Sequence, residues 1–166
     1  INPIYESLNS LVYRALRNED HQPVILKVLK EDYPTPIELS RYRQEYELLR
    51  TLNSQGVIQS YALEKYQNTL VIVLEDIGGD SLKSWMTNST GKNKISLTEF
   101  LSMAIQLVET LGDIHAANII HKDIKPANII INTTTWQLKI TDFSISSKGF
   151  TLLNQVINNP NLLEGT

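Results

Sequence analysis

Two periods of apolar and polar positions run along the chain. Residues 23–30, PVILKVLK, alternate, with Val24, Leu26 and Val28 on one side and Ile25, Lys27 and Leu29 on the other, which predicts a strand. Lys27 therefore sits on an apolar face. Thr35 as N-cap, Pro36 at the first helical position and Glu38 completing a capping box predict a helix that runs to about Leu52. Its stripe is Leu39, Tyr42, Tyr46 and Leu49; Glu45 lies beside it, so a carboxylate falls near the buried edge. Residues 69–75, TLVIVLE, predict another strand, ending in a turn at Gly78 and Gly79 that we read as the crossing between two lobes. Residues 87–94 are polar and contain a glycine, the pattern of a surface loop.

Ser96 and Glu99 form a second capping box, and Leu97, Phe100, Leu101, Ala104, Val108 and Leu111 follow at helical spacing to about His115. Residues 128–131 and 137–141 predict two short strands joined as a hairpin through NTTTW. From Ser144 onward Ser, Asn and Gly dominate without a period, which predicts loop rather than regular structure.

Composition narrows the picture. With 166 residues, 42% of them hydrophobic, the chain suffices for one domain or for two small lobes sharing a cleft. Lys and Arg number 15 against 18 Asp and Glu, a net charge of −3 with no basic cluster, which argues against nucleic acid and anionic membrane as partners. The absence of cysteine removes disulfides and thiolate chemistry, and His21, His115 and His121 are too scattered for a metal cluster; a cytoplasmic chain is the expectation. No apolar run approaches the roughly 18 residues of a membrane span. The first residue is Ile1 rather than Met, which suggests a piece of a longer protein.

The densest chemistry lies in IIHKDIKPANIII, residues 119–131. Phosphoryl transfer to a hydroxyl needs an acceptor for the proton, a cation near the moving phosphoryl group and an oxygen ligand for a metal. Asp123, Lys125 and Asn128 supply these types within one short loop. An Asp and an Asn making ordinary turn hydrogen bonds, with Lys125 in solvent, is the other reading of the loop alone.

His121 to Asn128 resembles the catalytic loop of protein kinases, H-R-D-x-x-x-x-N, with Lys122 in place of arginine. ITDFS follows, its Asp142 nineteen residues after Asp123, where kinases carry Asp-Phe-Gly. The resemblance implies that Asp123 accepts the hydroxyl proton, that Lys125 neutralises charge on the phosphoryl group, that Asn128 and Asp142 hold magnesium, and that Phe143 packs. Lys27 resembles the lysine that pairs with the first two phosphates of ATP, and Glu45 its partner on the first helix. The residues agree, since a lysine on an apolar face and a carboxylate at a buried edge each need a partner. The alternative has Lys27 reaching into solvent and Glu45 paired with Arg41 or Arg50.

Residues 74–78, LEDIG, resemble the hinge that binds adenine through its backbone, with Leu74 at the gatekeeper position and Glu75 and Ile77 beside it. Val12 aligns with the valine that follows the glycine-rich loop, also a nucleotide-binding position. The resemblance runs from about Val12 to Thr166. It implies an α+β, bilobal protein-kinase-like fold: an N-terminal lobe over 1–75 with an antiparallel sheet and one helix, a hinge over 76–79, and an incomplete, mainly helical C-terminal lobe over 80–166. That lobe ends in an activation segment whose Gly165 and Thr166 resemble the substrate-binding end. ATP and Mg2+ are the implied cofactors. Lys125 marks the serine/threonine variant, so a protein with a Ser or Thr acceptor is the implied partner. Phrases such as VILKVLKEDYPTP and YQNTLVIVLEDIGG look like the N-terminal kinase domain of large bacterial signalling proteins that continue into an ATPase module and a sensor histidine kinase. Further domains of one parent chain are then partners too.

The sequence also departs from the family. Tyr5, Ser7 and Ser10 stand where the phosphate loop has glycines, and Ser144 replaces the glycine of Asp-Phe-Gly. Lys122 lacks the planar fork with which arginine grips a phosphorylated loop; Ser146, Ser147 and Thr151 are the hydroxyls available for such control. The Ala-Pro-Glu element and later helices are absent, so the chain by itself is expected to expose apolar surface on its helix at 97–115 and to lack activity. A pseudokinase-like binding module and, further off, a small-molecule phosphotransferase are the alternative functions.

Overall fold

Alternating aliphatic residues in the first 75 positions assemble into one antiparallel sheet. The structure, a computed structural model, describes residues 2–7, 9–88 and 95–149. The chain divides into two compact units, Ile1–Thr51 with Ile58–Ile77, and Leu52–Val57 with Gly78–Thr166.

The first unit contains β1 (Asn2–Glu6), β2 (Ser10–Leu16), β3 (Pro23–Leu29), α1 (Pro36–Thr51), β4 (Ser60–Tyr66) and β5 (Thr69–Glu75), with sheet order β1-β2-β3-β5-β4. In β3, Lys27 stands between Val12 of β2 and Ile72 of β5. Val24, Leu29, Leu70, Ile72 and Leu74 are buried in this sheet. Helix α1 starts as its capping residues require: the backbone N–H and the hydroxyl of Thr35 both donate to Glu38 Oε2 at 2.7 Å, and Glu38 N–H returns to Thr35 Oγ1 at 3.3 Å. Its buried face is Tyr42, Glu45, Leu48 and Leu49. Leu39 and Tyr46 of the expected stripe are only half-buried, because the face is centred on Glu45 and brings Leu48 into the core.

The second unit contains β6 (Asp80–Ser81), α2 (Leu82–Asn88), α3 (Leu97–Ala116), β7 (Ile119–Ile120), a 3-10 turn at Pro126–Asn128, β8 (Ile129–Asn132), β9 (Gln137–Ile140) and β10 (Ser147–Lys148). β6, β8 and β9 form one small sheet, and β7 pairs with β10. The expected hairpin is β8–β9, turned by Asn132, whose Oδ1 accepts from the N–H groups of Thr134 at 2.8 Å and Thr135 at 3.2 Å. Two expectations are corrected. Thr87 and Asn88 end helix α2 rather than opening a loop, and 89–94 lie outside the described residues. Ser147 and Lys148 form a strand inside the stretch read as loop, because β7 offers them an edge.

Helix α3 has the expected Ser96–Glu99 capping box but turns a different face inward. Met103, Thr110 and Ile114 are its buried residues, whereas Leu97, Phe100, Leu101 and Val108 of the expected stripe are exposed. Met103 joins Leu82, Ile129, Ile131 and Leu138 in the core, against which Trp85, Leu107 and Trp136 pack. Gln106 fixes the register, donating to Trp136 O at 3.0 Å and accepting from Leu138 N–H at 3.1 Å. Gly56 presses its backbone on this helix: a Cβ there would lie 1.7 Å from Thr110 Oγ1, and its carbonyl accepts Ile140 N–H at 2.7 Å. Among the described residues no helix is long and apolar enough to cross a membrane.

Candidate active site

In the first unit, strand alternation and helix periodicity bring two opposite charges together. Lys27 Nζ donates to Glu45 Oε1 at 2.7 Å and Oε2 at 2.8 Å, and the two residues are 8% and 1% exposed. A bidentate contact at this burial is strong because little water competes for either group. Glu45 thus chooses Lys27 over Arg41 and Arg50. The ring of Tyr42, one turn earlier on α1, lies 5.8 Å from the same ammonium. Tyr42 and Ser10 share a hydroxyl–hydroxyl hydrogen bond of 2.6 Å.

Leu74 is buried at the end of β5, and Glu75 is tied to Gln59, its N–H donating to Gln59 O at 2.9 Å and its carboxylate accepting from Gln59 N–H at 3.2 Å. Asp76 is held by Arg14 of β2 at 2.6 Å, just before Ile77. Val12 is half-buried directly across from Lys27.

In the second unit the loop after β7 gathers three predicted residues on one carboxylate. Asp123 Oδ2 lies 2.8 Å from Lys125 Nζ and accepts from Asn128 Nδ2 at 2.9 Å, while the same amide reaches Asp123 O at 3.0 Å. Asp123 and Asn128 are buried and Lys125 is half-exposed. The 3-10 turn makes this possible, since Asn128 N–H returns to Lys125 O at 2.9 Å and folds Asn128 back over Asp123.

His121 underpins the loop in a way the sequence did not show. Its Nδ1 accepts from Asp123 N–H at 3.2 Å and its Nε2 lies 3.0 Å from Thr141 O, a pairing that requires the neutral tautomer with the proton on Nε2. Its ring packs edge-on against Phe143, centroids 4.5 Å apart. Thr141 N–H donates to Asn128 O at 3.0 Å, so the segment before Asp142 is tied to the loop at both Asn128 and His121. Asp142 then takes a left-handed backbone, φ 65°, as does Lys122 at 70°. Such conformations gather where surrounding bonds over-determine the chain, as they do here.

The donor set suits a hard cation. The Nδ2 group of Asn128 is spent on Asp123, which makes Oδ1 the atom with the chemistry to face a metal; Asp142, next to Thr141, is a carboxylate of the same oxygen-donor type. No group of three or more His, Cys, Asp or Glu that could hold a metal occurs among the described residues. Magnesium does not need one, because it keeps waters and takes oxygens from phosphates.

The departures also take definite places. Ser7 and Ser10 close the β1–β2 turn on themselves: Ser7 N–H donates to Ser10 O at 2.9 Å and Ser10 N–H to Ser7 Oγ at 3.0 Å. Tyr5 is exposed. Ser146 and Ser147 are buried, and Ser146 Oγ donates to His121 O at 3.0 Å, so neither is a surface hydroxyl open to modification in this conformation. Ser144 is exposed, and Thr151, Gly165 and Thr166 lie outside the described residues.

A family model described as protein kinase domain matches residues 8–153. The chain is 35% identical over 141 residues to the serine/threonine-protein kinase PknA of Mycobacterium tuberculosis strain H37Rv, a match covering 81% of this chain and 32% of that protein. To the serine/threonine-protein kinase PrkC of Bacillus subtilis it is 30% identical over 145 residues, covering 84% of this chain and 22% of that one. It is 29% identical over 161 residues to nekl-2 of Caenorhabditis elegans, also named a serine/threonine-protein kinase, covering 90% and 44%. The chain thus spans less than half the length of these relatives.

Proposed function

Because the chain belongs to the protein kinase domain family and its relatives are serine/threonine protein kinases, we propose that it transfers the γ-phosphoryl group of ATP, with magnesium, to a serine or threonine hydroxyl of a protein in signal transduction. The observation that carries this reading is the convergence of Lys125 and Asn128 on the Asp123 carboxylate. Asp123 takes the proton of the acceptor hydroxyl as its oxygen bonds to the γ-phosphorus; the bond from that phosphorus to the bridging oxygen breaks, and ADP leaves. Lys125 offsets charge on the moving phosphoryl group. Asn128 and Asp142 would hold the metal, which would supply positive charge to the phosphate group. Lys27, oriented by Glu45, faces the first two phosphates. Val12, Leu74 and the backbone of Glu75 and Ile77 receive the adenine, with 76–79 as hinge. We place this activity in the cytoplasm, within a longer parent chain that supplies further domains.

A catalytically silent regulatory module is the second reading, and the β1–β2 turn favours it, because the N–H groups of Ser7 and Ser10 bond within the turn instead of facing a phosphate. The two readings separate in the full-length protein. Phosphotransfer from ATP should map to Ser or Thr of a protein acceptor. Asp123→Asn should lower kcat by about a hundred- to ten-thousand-fold while ATP still binds, and Asp142→Ala should abolish the gain in ATP affinity that magnesium gives in calorimetry. A folded protein that binds no ATP with magnesium present sinks the kinase reading in favour of the module.

A further inference from the structure

The link between Ser10 and Tyr42 joins elements whose mutual placement decides whether Lys27 meets Glu45. Ser10 and Val12 share one face of β2, and Val12 stands opposite Lys27 in β3, so Ser10 and Lys27 look toward the same side of the sheet. Tyr42 and Glu45 are three residues apart and share the buried face of α1. Two contacts therefore run in parallel from sheet to helix: Lys27 to Glu45, and Ser10 to Tyr42. Ser10 and Tyr42 are 7% and 5% exposed, so their hydroxyls have little access to water as a substitute partner. A movement of α1 away from the sheet that withdraws Glu45 from Lys27 also pulls on this buried bond, whose loss costs more than that of an exposed one.

We propose that Ser10 and Tyr42 are positioning residues, whose hydrogen bond fastens α1 to the β1–β2 hairpin and keeps Glu45 on Lys27 before nucleotide arrives. This rests on the kinase reading only in taking Lys27 as the phosphate-facing lysine. Ser10 stands where a glycine-rich loop would have glycine, and the exchange has a physical sense. The turn gives up backbone N–H groups for phosphate, since those of Ser7 and Ser10 are spent internally, and gains a side chain that pre-forms the lysine–carboxylate pair. A pre-formed pair lowers the conformational cost of binding, so losing the fastening should weaken apparent ATP affinity while saturating ATP restores the rate.

The test uses the full-length protein with Ser10→Ala, Tyr42→Phe and Ser10→Thr. The first readout is the rate of Lys27 acetylation by acetic anhydride at fixed pH without nucleotide, followed by mass spectrometry. With the bond removed, Lys27 is less firmly paired, and the rate should rise about five-fold, the scale of one hydrogen bond. The second is steady-state kinetics: KM for ATP should rise by a similar factor in Ser10→Ala and Tyr42→Phe with kcat within two-fold of wild type. Ser10→Thr keeps the hydroxyl and should restore both values. Unchanged Lys27 reactivity and unchanged KM in Ser10→Ala overturn the proposal, as does a loss of thermal stability unaccompanied by either change. If Tyr42→Phe fails to fold, Ser10→Ala against Ser10→Thr decides alone. Lys27→Met separates the two levels: phosphotransfer at the wild-type rate in that variant sinks the role given to Lys27. Its loss, beside wild-type behaviour of Ser10→Ala, sinks only the positioning role.

Discussion

Lys27 and Glu45 form a buried pair whose value to folding can be measured apart from the role proposed for it in phosphotransfer. Replacing Lys27 by Met removes the cation facing a carboxylate that is 1% exposed, a change that costs about 3–5 kcal/mol when a buried pair is broken from one side. Replacing both partners with apolar residues removes the buried carboxylate as well. Urea unfolding should therefore show Lys27→Met strongly destabilised and Lys27→Met/Glu45→Leu returned most of the way to wild type, while ATP-dependent phosphotransfer stays lost in both. A double variant as unstable as the single one would mean that the pair's geometry, rather than the buried carboxylate, sets the stability. The same contrast explains what could be read from sequence. The pairing of Lys27 with Glu45 and the grouping of Asp123, Lys125 and Asn128 were legible because side-chain type and spacing are local to the sequence. Tyr42 passed as an apolar stripe residue and Ser10 as a missing glycine, although a hydroxyl in a buried stripe signals an unnamed partner. His121 was legible only as part of the loop's pattern, since nothing local says that its two nitrogens bridge Asp123 and Thr141.

Helix boundaries were read well where capping chemistry is local, and helix faces poorly where packing is not. Ser96 and Thr35 announce their helices through side chains three residues apart. The pH dependence follows from the same bonds. Hydrogen bonds from the backbone N–H and the hydroxyl of Ser96 hold the Glu99 carboxyl below its ordinary value of 4.5, and those from the hydroxyl and N–H of Thr35 do the same for Glu38. A carboxyl depressed in the folded state stabilises it above the unfolded value and loses that contribution as pH falls through the folded one. Both groups are fully exposed, so the effect on each helix is small but has a definite sign. Glu99→Ala should be less stable than wild type at pH 7, and the gap should close as pH drops below about 4.5 in thermal melts; a gap that is constant with pH would contradict the charged cap. The inward face of α3 could not be chosen this way. Apolar residues surround much of the helix, so a period count admits either face; the β8–β9 hairpin, itself formed by distant residues, takes in Met103, and the backbone of Gly56 meets Thr110.

At the scale of the whole chain, that choice leaves an apolar stripe facing water. Leu97, Phe100, Leu101, Ile105 and Val108 are 72%, 55%, 49%, 57% and 68% exposed and fall at the i, i+3, i+4 spacing of one helix face. Contiguous apolar surface of this kind is uncommon on soluble monomers and drives association, and a net charge of −3 supplies little repulsion against it. The 166-residue chain should therefore self-associate as its concentration rises in sedimentation velocity. Adding salt should leave that association intact, because screening weakens contacts between charges rather than apolar ones. Leu101→Gln with Val108→Gln should shift the distribution toward monomer while changing folding stability by no more than about 0.5 kcal/mol at each site, the ordinary size of surface substitutions. Ile114→Ala, on the opposite face of the same helix and fully buried, should instead cost about 2–5 kcal/mol and leave association unchanged at temperatures where the variant stays folded. The two faces then answer to different measurements. A chain that stays monomeric at every concentration, or that loses several kcal/mol on Leu101→Gln, would mean that the outer face is packed rather than open.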